Sequence, residues 1–286
     1  MTSPDATTTT VRAGFVCGLI ELRQSFTGTA LIGQLLWPVV TLVAIFFLRD
    51  RSVGAGNSGF SLGAFILPSV LGMFIALGML LVIQYLSAER EDGTLLRAKA
   101  TPHGIHSYLI GKLVTVSLTI LVYLVILLVP GMLIVRGLAL GSISSWITLA
   151  WVLILGLVAT QTIGAILGSL ISSPRGASYI SLPVLGLVAI SGVFYPITAL
   201  PAWLQWIAQI FPIYWLGLGM RSALLPASAA SVEIGASWRP VETAVVLGAW
   251  AAVGLILAPI ILSRMARRES GSRVAASREK ALQRVG

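Results

Sequence analysis

Charge is what this sequence has least of. Only 10% of its 286 residues are Asp, Glu, Lys or Arg, against 57% hydrophobic residues, and the mean hydropathy is +0.95. Soluble domains carry about 25% charged residues, so a water-soluble globular domain is excluded and an integral membrane protein remains. Cysteine is nearly absent too. Cys17 stands alone, which rules out an intrachain disulfide and a cysteine-built metal site; it reads as a small apolar residue on a helix. His103 and His106 are the only histidines, and no nearby Cys or acid completes a metal site, so no metal is expected. No Ser/His/Asp arrangement falls on aqueous loops. No Gly-x-x-x-x-Gly-Lys-Ser/Thr run occurs, so the chain is not expected to cradle ATP itself. Acids are scarce in the apolar runs, with Glu242 at the edge of the last one. That argues against an ion-coupled transporter, which holds acids at mid-membrane as relays. The net charge of +9 has no folded basic domain behind it, so nucleic-acid binding is excluded as well. Met1 to Thr10 is polar without a basic start, unlike a cleaved signal peptide.

What is present is a series of apolar runs. A membrane span needs about 20 apolar residues, and six fit: about 30–48, 62–86, 108–135, 146–171, 177–195 and 241–262. The predicted fold is all-α, with residues 1–28 an N-terminal segment and amphipathic helix, 29–263 a six-span domain, and 264–286 a basic tail. Over residues 11–28, Phe15, Leu19, Leu22 and Phe26 recur at helical spacing among Arg12, Glu21, Arg23 and Gln24, as in a helix lying in the membrane interface; a frayed start of the first span is the alternative. Lys112, near the head of the third run, is expected to snorkel to the interface. Gly164 and Gly168 form a small-xxx-small face on the fourth, suited to close packing within the chain or against a second copy. With the N-terminus inside, 14 of the 19 Lys and Arg residues fall on the inner side and five, including Arg221, on the outer. Both termini are therefore expected in the cytoplasm.

Six ionised side chains interrupt this pattern between Glu89 and Lys99. Each costs about 2.5–3.5 kcal/mol at the centre of a spanning helix, so the stretch Glu89-Arg90-Glu91-Asp92-Gly93-Thr94-Leu95-Leu96-Arg97 must lie in water. It reads as a short helix, acids first and bases last as the helix dipole prefers, stopped by Thr101-Pro102. A second interruption lies before the last run. Gly192, Phe194, Pro196, Leu200, Pro201, Trp203, Pro212 and Tyr214 mark apolar pieces of about ten residues, each near 15 Å as a helix and too short to span. They read as two short helices dipping in from the outer face, with Trp203, Trp206, Tyr214 and Trp215 in the headgroup zone, or else as an amphipathic surface loop.

Glu89-x-Glu91-x-Gly93-Thr94 with Pro102 beyond it, and then Gly192-x-Phe194-x-Pro196, Leu200-Pro201-x-Trp203 and Pro212-x-Tyr214, together resemble ABC-2-type permeases, the membrane subunits of ATP-binding-cassette exporters. The resemblance runs from the N-terminal amphipathic helix to the sixth span. It implies an elbow helix before the first span, a re-entrant hairpin before the last, and a bacterial cell-membrane location. It also implies a cytoplasmic ATPase subunit in two copies, carrying ATP and Mg on its own chain and docked on the 89–97 coupling helix, and a second permease copy or homologue within the lipid. Glu89, Arg90, Glu91, Asp92 and Arg97 would offer salt bridges, Gly93-Thr94 a close approach, and Leu95-Leu96 an apolar contact. The implied substrate is hydrophobic or amphipathic, a drug, lipid or glycolipid. A membrane anchor or assembly factor is the alternative, although it would not need Gln84, Thr160 and Gln161 in its spans. A membrane-embedded enzyme is a further one, which would show clustered acids or histidines.

Overall fold

The computed structural model describes residues 4–51, 61–101, 104–171 and 174–268. The loop at 54–59, Pro102, His103, the turn residues 172–173 and the tail after Arg268 lie outside them. Ten α-helices account for most of the described chain: α1 (Pro4–Ser25), α2 (Ala30–Leu48), α3 (Leu62–Glu91), α4 (Thr94–Lys99), α5 (Gly104–Ile134), α6 (Ile143–Leu170), α7 (Pro174–Ile190), α8 (Ala202–Ile210), α9 (Pro212–Leu224) and α10 (Pro240–Arg268). Short 3-10 turns at Ile197–Ala199, Ala227–Val232 and Ile234–Ala236 complete it.

Five of these helices, α2, α3, α5, α6 and α10, are long and apolar enough to cross a membrane; α7, the fifth expected span, has 17 residues and is shorter. Several boundaries differ from the sequence-based expectation. The helix before the first span begins at Pro4, well before residue 11. The second span continues as helix to Glu91, and the third begins at Gly104. The fifth ends at Ile190, and the last continues to Arg268. Hydropathy marks where a helix leaves hydrocarbon, whereas the helix itself continues until backbone geometry stops it.

The bundle is built around α3. Ser61 caps its N-terminus, its side chain accepting from Ala64 N–H at 3.1 Å, as serine does at an N-cap. Most of its length is buried, against α6, α9, α5, α7 and α2. Thirty residues at about 1.5 Å each make a rod of about 45 Å, longer than the roughly 30 Å hydrocarbon core. The surplus lies at the Glu89–Glu91 end, because the first turns are apolar.

Small residues let α6 lie close on α3. A Cβ at Gly164 would sit 2.5 Å from the Met79 carbonyl oxygen, and one at Gly168 3.2 Å from Ile83 Cα. Thr160 Oγ1 donates across this contact to the Ile75 carbonyl at 3.2 Å. Without a hydrophobic driving force between helices in lipid, this close packing and interhelical bonding is what holds spans together. The same device joins α1 to α5, where a Cβ at Gly18 would lie 2.8 Å from the Gly111 carbonyl. The apolar stripe read on α1 does not make that contact: Phe15 and Leu19 are exposed, and the glycine side of the helix faces the bundle.

By contrast α2 is almost unburied along its length, with Ile32, Trp37 and Phe47 among its exposed side chains. Apolar side chains in that position suit lipid rather than water.

Candidate functional site

The charged stretch is divided rather than forming one helix. Glu89, Arg90 and Glu91 are the last turn of α3, Asp92 follows as its cap, and Gly93 turns the chain at φ +75° before α4 begins at Thr94. That left-handed φ is the reason for glycine here, since it costs other residues about 1–2 kcal/mol.

Its side chains divide as well. Arg97 and Lys99 on α4 are exposed, as is Asp92. Arg97 Nη2 donates to Thr94 Oγ1 at 3.2 Å, and Lys99 Nζ reaches the Arg267 carbonyl at the end of α10 at 3.4 Å. Glu91, Thr94 and Leu96 are half-buried. Leu95 is buried against the bundle, and only Leu96 of the pair is left half-buried. Arg90 Nη1 donates to the Ile171 carbonyl at 2.7 Å, tying the end of α3 to the end of α6.

Glu89 turns inward. It pairs with Lys112 and accepts from the Tyr108 hydroxyl at 2.5 Å. Lys112 does not snorkel. Its side chain is 2% exposed, and its Nζ also lies 2.6 Å from Glu21 Oε2 on α1. Thr115 Oγ1 donates to the same Glu21 oxygen at 3.0 Å. The Tyr85 and Tyr108 rings flank the ammonium at 4.9 and 5.9 Å. One buried cation therefore joins α1, α3 and α5, because a lone lysine at this depth is affordable only when paired. Sequence reasoning placed Glu89 in solvent because no neutralising partner was visible. The available signal was Tyr108 and Lys112, one turn apart at the head of an apolar run, which places both on one helix face.

At the other end of α3, Gly192 bends the chain after α7 at φ +69°. Phe194 is exposed, Pro196 precedes the 3-10 turn, Leu200 is half-buried, and Pro201 precedes α8. Pro212 opens α9 at a first-turn position that tolerates a missing N–H. The four aromatics expected in the headgroup zone separate into two pairs. Trp203 and Trp206 on α8 are exposed, but Tyr214 and Trp215 are buried, because α9 is wedged between α3, α6 and α10. At 13 residues, about 20 Å, α9 falls short of a full span. Aromatic contacts fasten this elbow to α10: Phe211 stacks on Trp250 at 6.3 Å, and Trp250 Nε1 donates to the Ile210 carbonyl at 3.0 Å. Arg239 Nη1 donates to Gln209 Oε1 at 2.8 Å, with its guanidinium 4.7 Å over the Trp215 ring. Arg221, counted among outer surface charges from sequence, is fully buried.

A multi-pass helical bundle with a charged turn at one end of its central helix and a short buried helix at the other defines a membrane permease. Residues 28–260 match the ABC-2 family transporter protein family, and the chain belongs to that family. Members are membrane subunits without an ATP-binding domain of their own, and membership implies partnership with an ATP-binding-cassette ATPase subunit. No curated protein matches the chain.

Proposed function

We propose that this chain is the permease subunit of an ATP-binding-cassette exporter, moving a hydrophobic or amphipathic substrate such as a drug, lipid or glycolipid out of the cytoplasm. Six crossings, with α7 as the short fifth, would leave both termini and the α3–α4 turn on one side, and the bias of Lys and Arg supports the cytoplasmic side of a bacterial inner membrane. The α1 helix is then the interfacial elbow, its exposed apolar stripe resting in lipid. The α8–α9 pair is the hairpin that enters from outside. ATP and Mg reside on a separate ATPase subunit in two copies, and a second permease copy or homologue completes the translocation unit.

The observation that carries this reading is the α3–α4 turn. The end of a 45 Å rod projects past the hydrocarbon and presents Asp92, Arg97 and Lys99 to solvent, flanked by half-buried Glu91, Thr94 and Leu96. Glu89 is not among the docking charges, being held by Lys112 and Tyr108. Its part is to fix the angle at which α3 leaves the membrane, and to carry motion of the turn into α1 and α5 through Lys112.

The testing experiment is purification of the chain from its own membranes in mild detergent. Copurifying chains are identified by mass, and the eluate is assayed for ATP hydrolysis. A stoichiometric chain bearing a phosphate-binding loop supports the reading, and a permease free of any such chain contradicts it.

A further inference from the structure

Arg221 is the least expected charge in the bundle. Its side chain and that of Glu233 are both 0% exposed, and Arg221 Nε lies 2.7 Å from Glu233 Oε1. Arg221 Nη1 donates to Ser69 Oγ at 2.9 Å and to the Gly192 carbonyl at 3.2 Å. Its guanidinium carbon stands 4.9 Å from the Phe65 ring centroid. Four segments meet at this one cation: the first turns of α3, the bend after α7, α9 itself, and the 3-10 loop after α9.

Stability alone does not explain a charge here. Taking both ions out of water costs several kcal/mol each, and well-packed apolar replacements of buried pairs are often neutral or stabilising. The carboxylate is also under-satisfied. Among the described residues Glu233 accepts no hydrogen bond beyond its ion pair. Glu233 is presented by a surface loop whose Ser231, Gly235, Ala236 and Ser237 are exposed. One side-chain bond, Thr198 Oγ1 to the Val232 carbonyl at 3.1 Å, ties that loop to the turn before α8. When such a loop lifts, the carboxylate returns to water and the cation follows toward it. An open arrangement would trade Coulomb attraction for hydration, the kind of balance a two-state element requires.

We propose that Arg221 and Glu233 are a gating pair. Joined, they clamp the loop and α9 onto the start of α3 and the bend after α7, closing the outer end of the route; parted, they let it open for release. The proposal rests on the export reading above for which end is outer.

The test uses the permease with its ATPase in lipid nanodiscs, carrying Cys17→Ser and a single Val193→Cys reporter in the bend after α7, where Val193 is 0% exposed. The rate of modification by a charged thiol reagent is read without nucleotide and during ATP turnover. Without nucleotide, Glu233→Gln should raise the rate roughly tenfold or more, because losing one charge of a buried pair exceeds the energy of one decade. A Val116→Cys control, equally buried about midway along α5 beside Gly78 of α3, should stay protected. The apolar pair R221M/E233L should stay monodisperse and lose the rise in Val193→Cys modification that turnover produces in the parent. Unchanged modification in Glu233→Gln, or an equal rise at Val116→Cys, overturns the proposal in favour of plain structural support. Turnover that leaves the parent rate unchanged overturns it too, while copurification of the ATPase leaves the export reading standing.

Discussion

Lys112 and Glu21, 91 positions apart, meet at 2.6 Å, and the same lysine holds Glu89. A helix outside the set of long spans is thereby joined by charge to the end of the central one. The consequence is a specific stability pattern. Lys112→Met leaves two carboxylates without their cation. Removing one member of a buried pair costs about 3–5 kcal/mol; the lower end applies here, because Glu21 is 37% exposed and regains solvation. Detergent thermal denaturation should show a clear fall in Tm, and E21Q/K112M/E89Q should recover most of it. Equal loss in the single and triple variants would contradict the network.

Gly164 gives a steric prediction. Its Cβ position lies 2.5 Å from the Met79 carbonyl, so Gly164→Leu forces α6 off α3 at a cost of roughly 1–3 kcal/mol or more. Size-exclusion chromatography should show aggregation or a lower Tm. Gly33→Leu on α2, where nothing lies within 4 Å, should behave as the parent.

Topology is tested with single cysteines in a Cys17→Ser background. Ser231→Cys should react with an impermeant reagent in intact cells and Ala88→Cys should not; both positions are exposed. Ser87 is unsuitable as a reporter because its side chain is buried. Labelling of Ala88→Cys from outside would invert the proposed orientation.

The five long apolar helices were legible because bilayer thickness and hydropathy act on consecutive residues. The two interruptions were legible for the same reason, as charge or proline inside apolar runs. The networks that close the structure were not. Glu21, Glu89 and Lys112 lie on three helices, and the Arg221 cluster draws Ser69 from 152 positions away. A charge count assigns such residues to water, since pairing across long sequence separation leaves no local pattern. Tyr214 and Trp215 were misplaced for a related reason: aromatic composition suits both a headgroup belt and a buried short helix, and the packing of α9 against α3 and α6 decides between them.

Trp203 on α8 is 63% exposed, so Trp203→Ala should leave stability within about 0.5 kcal/mol of the parent while lowering transport, if α8 borders the exit route. Transport assayed at matched expression decides this, and normal transport would reduce α8 to an aromatic cap.

If a separate ATPase drives this permease through the α3–α4 turn, charge reversal at that turn should uncouple the two. Arg97→Glu changes an exposed side chain whose one described bond is to Thr94, so Tm should hold. Copurification of the ATPase and its substrate-stimulated hydrolysis should fall severalfold, with Glu91→Lys acting in the same direction. Glu89→Lys should instead lower Tm, by placing a second cation beside Lys112. Full ATPase recovery and hydrolysis in both Arg97→Glu and Glu91→Lys would contradict the account.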